Sequence, residues 1–120
     1  MTLPAKIRRQ ANRRGRFAEL IAAAYLLVHG YRILALRYKT KLGEVDLIAR
    51  RGKVIAFVEV KSRKNVQLAL DAITVESQRR IRNAGDLWMG HRKDAAELSA
   101  RFDVIAVCPW KFPIHLVNAF

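Results

Sequence analysis

The sequence predicts an α/β domain, a mixed β-sheet of about five strands with helices packed against it. Three observations carry this expectation. Residues 31 to 61 hold three strand-like segments, the last two joined by a short turn at Arg51-Gly52. Helical periodicity precedes these segments and returns after them. Two further strand-like segments close the chain, so the second helix is a crossover between parts of one sheet. At 120 residues the chain has room for one core and little more.

Residues 1 to 16 carry Lys6, Arg8, Arg9, Arg13, Arg14 and Arg16 without a single acid. They read as a solvated basic tail or as a segment that docks on something negative. The tail is expected over residues 1–14 and a single domain over 15–120. From Gly15 onward Phe17, Leu20, Ile21, Ala24 and Val28 recur at helical spacing, which predicts an amphipathic helix burying that stripe and stopping near Gly30. Glu19 falls on the flank of the stripe. The apolar run Leu20–Val28 is far short of the roughly 20 residues a membrane span needs. With Glu19 before it, His29-Gly30-Tyr31-Arg32 after it and no small-x-small site, it reads as a helix rather than a secretion signal.

The strands are expected at Tyr31–Tyr38, Glu44–Arg50 and Lys53–Lys61, the third rich in β-branched residues. Residues 62–73 read mostly as a loop. Thr74 is a candidate N-cap for a helix over about 75–89, with Ile81, Ala84, Leu87 and Trp88 on one side and Arg79, Arg82 and Asp86 on the other. Arg101–Val107 is the fourth strand, Pro109–Pro113 a turn, and Ile114–Val117 a short fifth strand.

The charge balance narrows the partners. Lys and Arg number 23 against 10 Asp and Glu, a net charge of +13, which favours a polyanion: DNA, RNA or an acidic membrane surface. Cys108 is the only cysteine, which excludes a disulfide scaffold and suits a reducing cytoplasm. His29, His91 and His115 are scattered without zinc spacing to it.

Chemistry concentrates in Asp46, followed after twelve residues by Glu59-Val60-Lys61. On a strand Glu59 and Lys61 share one face, while Val58 and Val60 point to the other, into a core. If the hairpin turn is centred on Arg51-Gly52, Glu44 faces Glu59 and Asp46 faces Phe57. Asp46 and Glu59 are then diagonal neighbours, roughly 5–8 Å apart at Cβ. An odd loop length would put Asp46 on the wrong face.

Two carboxylates at that spacing can share a hard divalent cation such as Mg²⁺ or Mn²⁺. The cation polarises a phosphoryl oxygen and lowers the pKa of water, and an ammonium nearby stabilises developing negative charge. In that reading Asp46, Glu59, Glu19 and the Val60 carbonyl are metal ligands, and Lys61 stabilises charge or positions water. The competing reading is an ordinary surface ion cluster.

Gly43-Glu44-Val45-Asp46-Leu47-Ile48-Ala49, followed by Phe57-Val58-Glu59-Val60-Lys61-Ser62-Arg63, resembles the signature of the YraN-like family. That family is assigned to the PD-(D/E)XK, restriction-endonuclease-like superfamily. Gly15-Arg16-Phe17-Ala18-Glu19, Arg101-Phe102-Asp103-Val104 and the ending Ile114–Phe120 are similar to its first helix and C-terminal part. The resemblance covers about residues 13–120. It implies a restriction-endonuclease-like fold, Mg²⁺-dependent cleavage of DNA, and Asp46, Glu59 and Lys61 at catalytic positions with Glu19 as the helical acid. Archaeal Holliday-junction resolvases are similar in this arrangement, which extends the expectation to branched DNA and to a homodimer. The sequence departs from the pattern at Arg37, where an Asn is expected, and at Ser77, where a basic residue is expected.

Nucleic-acid contacts are expected from Arg13, Arg14, Arg16, Lys39, Arg63, Lys64, Arg79, Arg80 and Arg82. Binding without cleavage is the alternative function. Asp103, in an apolar strand, is expected to need an ion-pair or hydrogen-bond partner. Trp110 reads as a core or lid residue, or as a base-stacking platform.

Overall fold

The structure is a computed structural model that describes residue 5 and residues 15–120 in full and the backbone alone of residues 6–14. Its elements run α1 (Ala5–Val28), β1 (Arg32–Lys39), β2 (Glu44–Arg51), β3 (Val54–Ser62), α2 (Val66–Asp71), α3 (Val75–Gly90), β4 (Ser99–Val107) and β5 (Ile114–Leu116), with a short 3₁₀ turn at Ala95–Glu97. One mixed sheet has the order β1-β2-β3-β4-β5. β3 and β4 are parallel and the other pairs antiparallel. The expected fold class is therefore the observed one, with helices on both faces.

α1 and α3 cover opposite faces. Ala18, Ala22, Ala23 and Leu26 of α1 pack on Leu47, Ala49, Val58, Val60 and Ile105. Ile81 and Ala84 of α3 pack on Val45, Ile48, Ile55, Phe57 and Phe102. Thr74 caps α3 as expected, its Oγ1 accepting from the Ser77 amide at 3.0 Å. α2, read from sequence as loop, is a real helix with Asn65 as its N-cap. Its six residues carry too little periodicity to announce it.

α1 departs from expectation twice. Its helical backbone begins at Ala5 rather than near Gly15. It also buries the side opposite to the one expected. Phe17, Leu20 and Val28 are exposed, and the buried stripe is Ala18, Ala22 and Leu26. Small alanines bring the helix axis close to the sheet, so the large side chains are left facing outward.

Asp103 is fully buried and satisfied, as its position required. It accepts from Arg101 Nε and Nη2 at 2.9 and 2.8 Å, bonds to His115 Nε2 at 2.8 Å and accepts from the Asn118 amide at 2.9 Å. Burial pushes this carboxyl upward, but these bonds outweigh it and leave its pKa below the ordinary value. The network ties β5 and the chain's last residues to β4.

Candidate active site at the fork of the sheet

The hairpin loop between β2 and β3 has two residues, the even length the site needs. They are Gly52 and Lys53, however, since Arg51 pairs with Val54. Gly52 takes the first turn position with φ +62, where a side chain is disfavoured. The register is therefore shifted from the expected one. Ile48, not Asp46, faces Phe57. The ladder ends at Leu47 and Val58, and the next residues, Asp46 and Glu59, lie level with each other rather than diagonally. Beyond that point β2 pairs with β1 and β3 with β4. The sheet forks where the carboxylates begin.

Two local features aim Asp46 into the fork. Val45 and Ile48 both pack on the α3 side although they are three positions apart, as do Ala35 and Tyr38 of β1. Strict alternation is therefore broken at Asp46 and Arg37, and Arg37 has φ +54. Asn tolerates that left-handed conformation better than Arg, which gives a physical reason for the Asn expected there. Asp46 also replaces the missing ladder partner, its Oδ2 accepting from the Val60 amide at 2.8 Å.

Asp46, Glu59, Val60, Lys61, Ser62 and Arg63 line a cavity of about 570 Å³ together with Gly15, Ala18 and Glu19 of α1. An adjoining recess adds Arg37 and Lys39. The three expected acids and Lys61 thus share one concave surface. Glu59 lies within hydrogen-bonding reach of Asp46, and Lys61 Nζ is 3.4 Å from Glu59 Oε1. Burial, then the charge of Asp46, pushes the Glu59 carboxyl up to about 8 despite the Lys61 ammonium. Asp46 is also raised, mainly by burial. A carboxyl raised this far favours its protonated form near neutral pH, which eases its approach to Asp46.

Glu19 has a partner the sequence did not suggest. Arg37 Nε donates to its Oε2 at 2.8 Å. Among the described residues no group of three or more His, Cys, Asp or Glu is arranged as a ready metal cluster. The donor chemistry of Asp46 and Glu59 nonetheless fits a hard cation. Two half-buried carboxylates this close cannot both ionise cheaply, a cost that a divalent ion between them would offset.

The expected nucleic-acid residues separate into groups. Arg63 and Lys39 line the cavity and its recess. Lys64 and Arg16 are exposed outside both linings. Arg79, Arg80 and Arg82 belong to α3 on the other layer and line neither space. Arg79 is paired with Glu76, and Arg82 lies 4.9 Å from the Phe102 ring centroid. Arg13 and Arg14 lie outside the described residues. Trp110 is fully exposed, so it is not a core residue. Sequence reasoning missed Arg37 as a site residue and the close approach at Gly43, where a Cβ would lie 1.9 Å from the Arg80 carbonyl oxygen. The unfilled Asn position was the available signal for the first.

A five-stranded mixed sheet between two helical layers, forked around a half-buried carboxylate pair and a lysine, is an α/β domain with a polar, charged cleft. The sequence profile of the uncharacterised protein family UPF0102 matches residues 18–107. The chain belongs to that family. It is 55% identical over 113 residues to a UPF0102 protein of Agrobacterium fabrum, covering 94% of this chain and 93% of the relative. It is 52% identical over 114 residues to one of Rhizobium johnstonii, covering 95% and 93%. A third, from Mesorhizobium japonicum, is 51% identical over 117 residues, covering 98% and 94%. No described helix is long and apolar enough to cross a membrane.

Proposed function

We propose that the fork is the active site of a metal-dependent endonuclease of the PD-(D/E)XK type that hydrolyses DNA phosphodiester bonds. The observation that carries this reading is the half-buried Asp46–Glu59 pair in one cavity, with Lys61 Nζ 3.4 Å from Glu59, in a protein of net charge +13. A polyanion is drawn to the surface, and the acids within it need a cation before a phosphate can enter. Asp46, Glu59 and the Val60 carbonyl are the groups to hold Mg²⁺ or Mn²⁺, which would supply the charge that polarises a phosphoryl oxygen and lowers the pKa of water. Lys61 then offers an ammonium to the developing negative charge or orients the attacking water. Arg63 and Lys39 hold neighbouring phosphates at the rim. Arg37 keeps Glu19 engaged until a cation competes for it.

The direct experiment is cleavage of supercoiled plasmid and of branched DNA with Mg²⁺ or Mn²⁺, comparing Asp46→Ala, Glu59→Ala and Lys61→Ala with the parent. Cleavage that survives the two acid substitutions defeats the mechanism. The engagement of Glu19 by Arg37 favours one other reading, a module that binds nucleic acid without cutting it. That reading expects salt-sensitive binding unaffected by the acid variants, and no turnover with either metal.

A further inference from the structure

We infer that α1 pairs with α1 of a second copy of this chain, antiparallel, through the apolar stripe it turns away from its own sheet. Phe17, Leu20, Leu27 and Val28 are 66, 61, 58 and 83% exposed. With exposed Ala24 they fall at spacings of three and four, within an arc about 100° wide on the helix surface. Ala18, Ala22 and Leu26, on the opposite side, already hold the helix to the sheet. The helix is therefore apolar on two faces, and only one has a partner among the described residues. An apolar face of this size marks an interaction surface.

The stripe complements itself. An antiparallel two-fold arrangement puts Leu20 opposite Ala24 of the second copy, a large residue meeting a small one on either side of the axis, and Phe17 opposite its Leu27, an apolar pair at each end. The ends match as well. Beside Phe17 lies a groove of about 320 Å³ formed with Ile21, Cys108, Pro109 and Trp110. At the other end of the stripe Leu27 and Val28 protrude. Pairing lays the protruding end of each copy into the groove of the other and covers Trp110.

Charge sets the direction. The stripe carries no ionisable side chain, and the basic run ending at Arg16 occupies the first half of the helix. A parallel pair would place two such runs side by side, whereas the antiparallel pair sends them to opposite ends. Area is sufficient. The four large stripe residues with Trp110 and Phe112 expose on the order of 800 Å² per copy, close to one partner's share of a standard interface. Glu19 and Ala18 reach the acidic cavity from other sides of the same helix, so pairing leaves the cavity open. Resting on the cleavage reading, the dimer would fix two active sites about a two-fold axis, one for each strand of a duplex.

The test measures the mass of the full chain in solution by sedimentation and light scattering, without metal or DNA, from micromolar to millimolar concentration. The parent is expected at twice the 13.7 kDa chain mass. Leu20→Glu and Leu27→Glu are expected to be monomers with unchanged circular dichroism, and Leu20→Met to stay dimeric. Amide line broadening confined to 17–28 and 108–112, reversed on dilution, reports the same interface without any substitution. A parent that is monomeric throughout overturns the inference, as does a dimer indifferent to both Glu variants. So does a monomer whose stripe binds vesicles of anionic phospholipid and loses that binding in Leu20→Glu. Loss of cleavage with an intact dimer would refute the nuclease reading alone.

Discussion

Replacing Glu59 with Gln keeps the shape and the hydrogen-bond donor to Asp46 while removing the ionisation. The wild-type Glu59 carboxyl is moved from 4.5 to about 8, first by burial and then by the Asp46 charge. Below pH 4.5 folded and unfolded chains both hold the proton, and Glu59 imposes no cost. As pH rises towards 8 the unfolded chain releases it and the folded chain keeps it, so wild-type stability falls by about 1.4 kcal/mol per pH unit. Across that interval the penalty accumulates to about 5 kcal/mol, an upper value because Asp46 shares the proton. Glu59→Gln escapes it. Urea unfolding with chelator from pH 4 to 9 should give coincident midpoints for the two proteins at the acid end, with the variant progressively more stable above pH 5. A stability difference that stays flat with pH would refute the reasoning.

Other consequences are as direct. Under the cleavage reading, Mg²⁺ binding at neutral pH should expel the shared proton, so calorimetry in buffers of different ionisation enthalpy should register release of about one proton; the signal should vanish in Glu59→Gln. Arg37→Asn should relieve the left-handed backbone and free Glu19, tightening Mg²⁺ binding in the same titration while changing the unfolding free energy by only about 1 kcal/mol. Gly43→Ala should cost about 1–3 kcal/mol in urea, since its Cβ would run into the Arg80 carbonyl and push the β1–β2 turn off α3. Asp103→Ala should cost about 3–5 kcal/mol by leaving Arg101 without its buried partner, and it should flatten the loss of wild-type stability as pH falls below the ordinary carboxylate range.

Local pattern sufficed for much of the architecture. Alternating β-branched runs announced β2, β3 and β4, Thr74 announced α3, and Gly52 announced a short hairpin turn whose parity stayed open. Glu59 and Lys61 were legible as site candidates because they interrupt a strand whose other face, Val58 and Val60, is buried. What one chain position cannot encode is how separate elements meet. Periodicity gave α1 an apolar stripe without saying which side would lie on the sheet. Two alanine-rich turns decided that by allowing closer approach, and the larger stripe was left for another surface. The hairpin turn moved by one residue, and the strand pairing by two, because Gly52, not Arg51, meets the φ requirement of the turn.

The sequence by itself determined that this chain builds a basic α/β domain with Glu59 and Lys61 on one face of a strand, since strand period and composition are local properties. Only the tertiary structure decided that the ladder stops at Leu47 and Val58, that the strand turns over at Asp46 opposite a left-handed Arg37, and that Arg37 engages Glu19. These depend on contacts between residues distant in the chain. The same contacts crowd two half-buried carboxylates together and so push the Glu59 carboxyl upward.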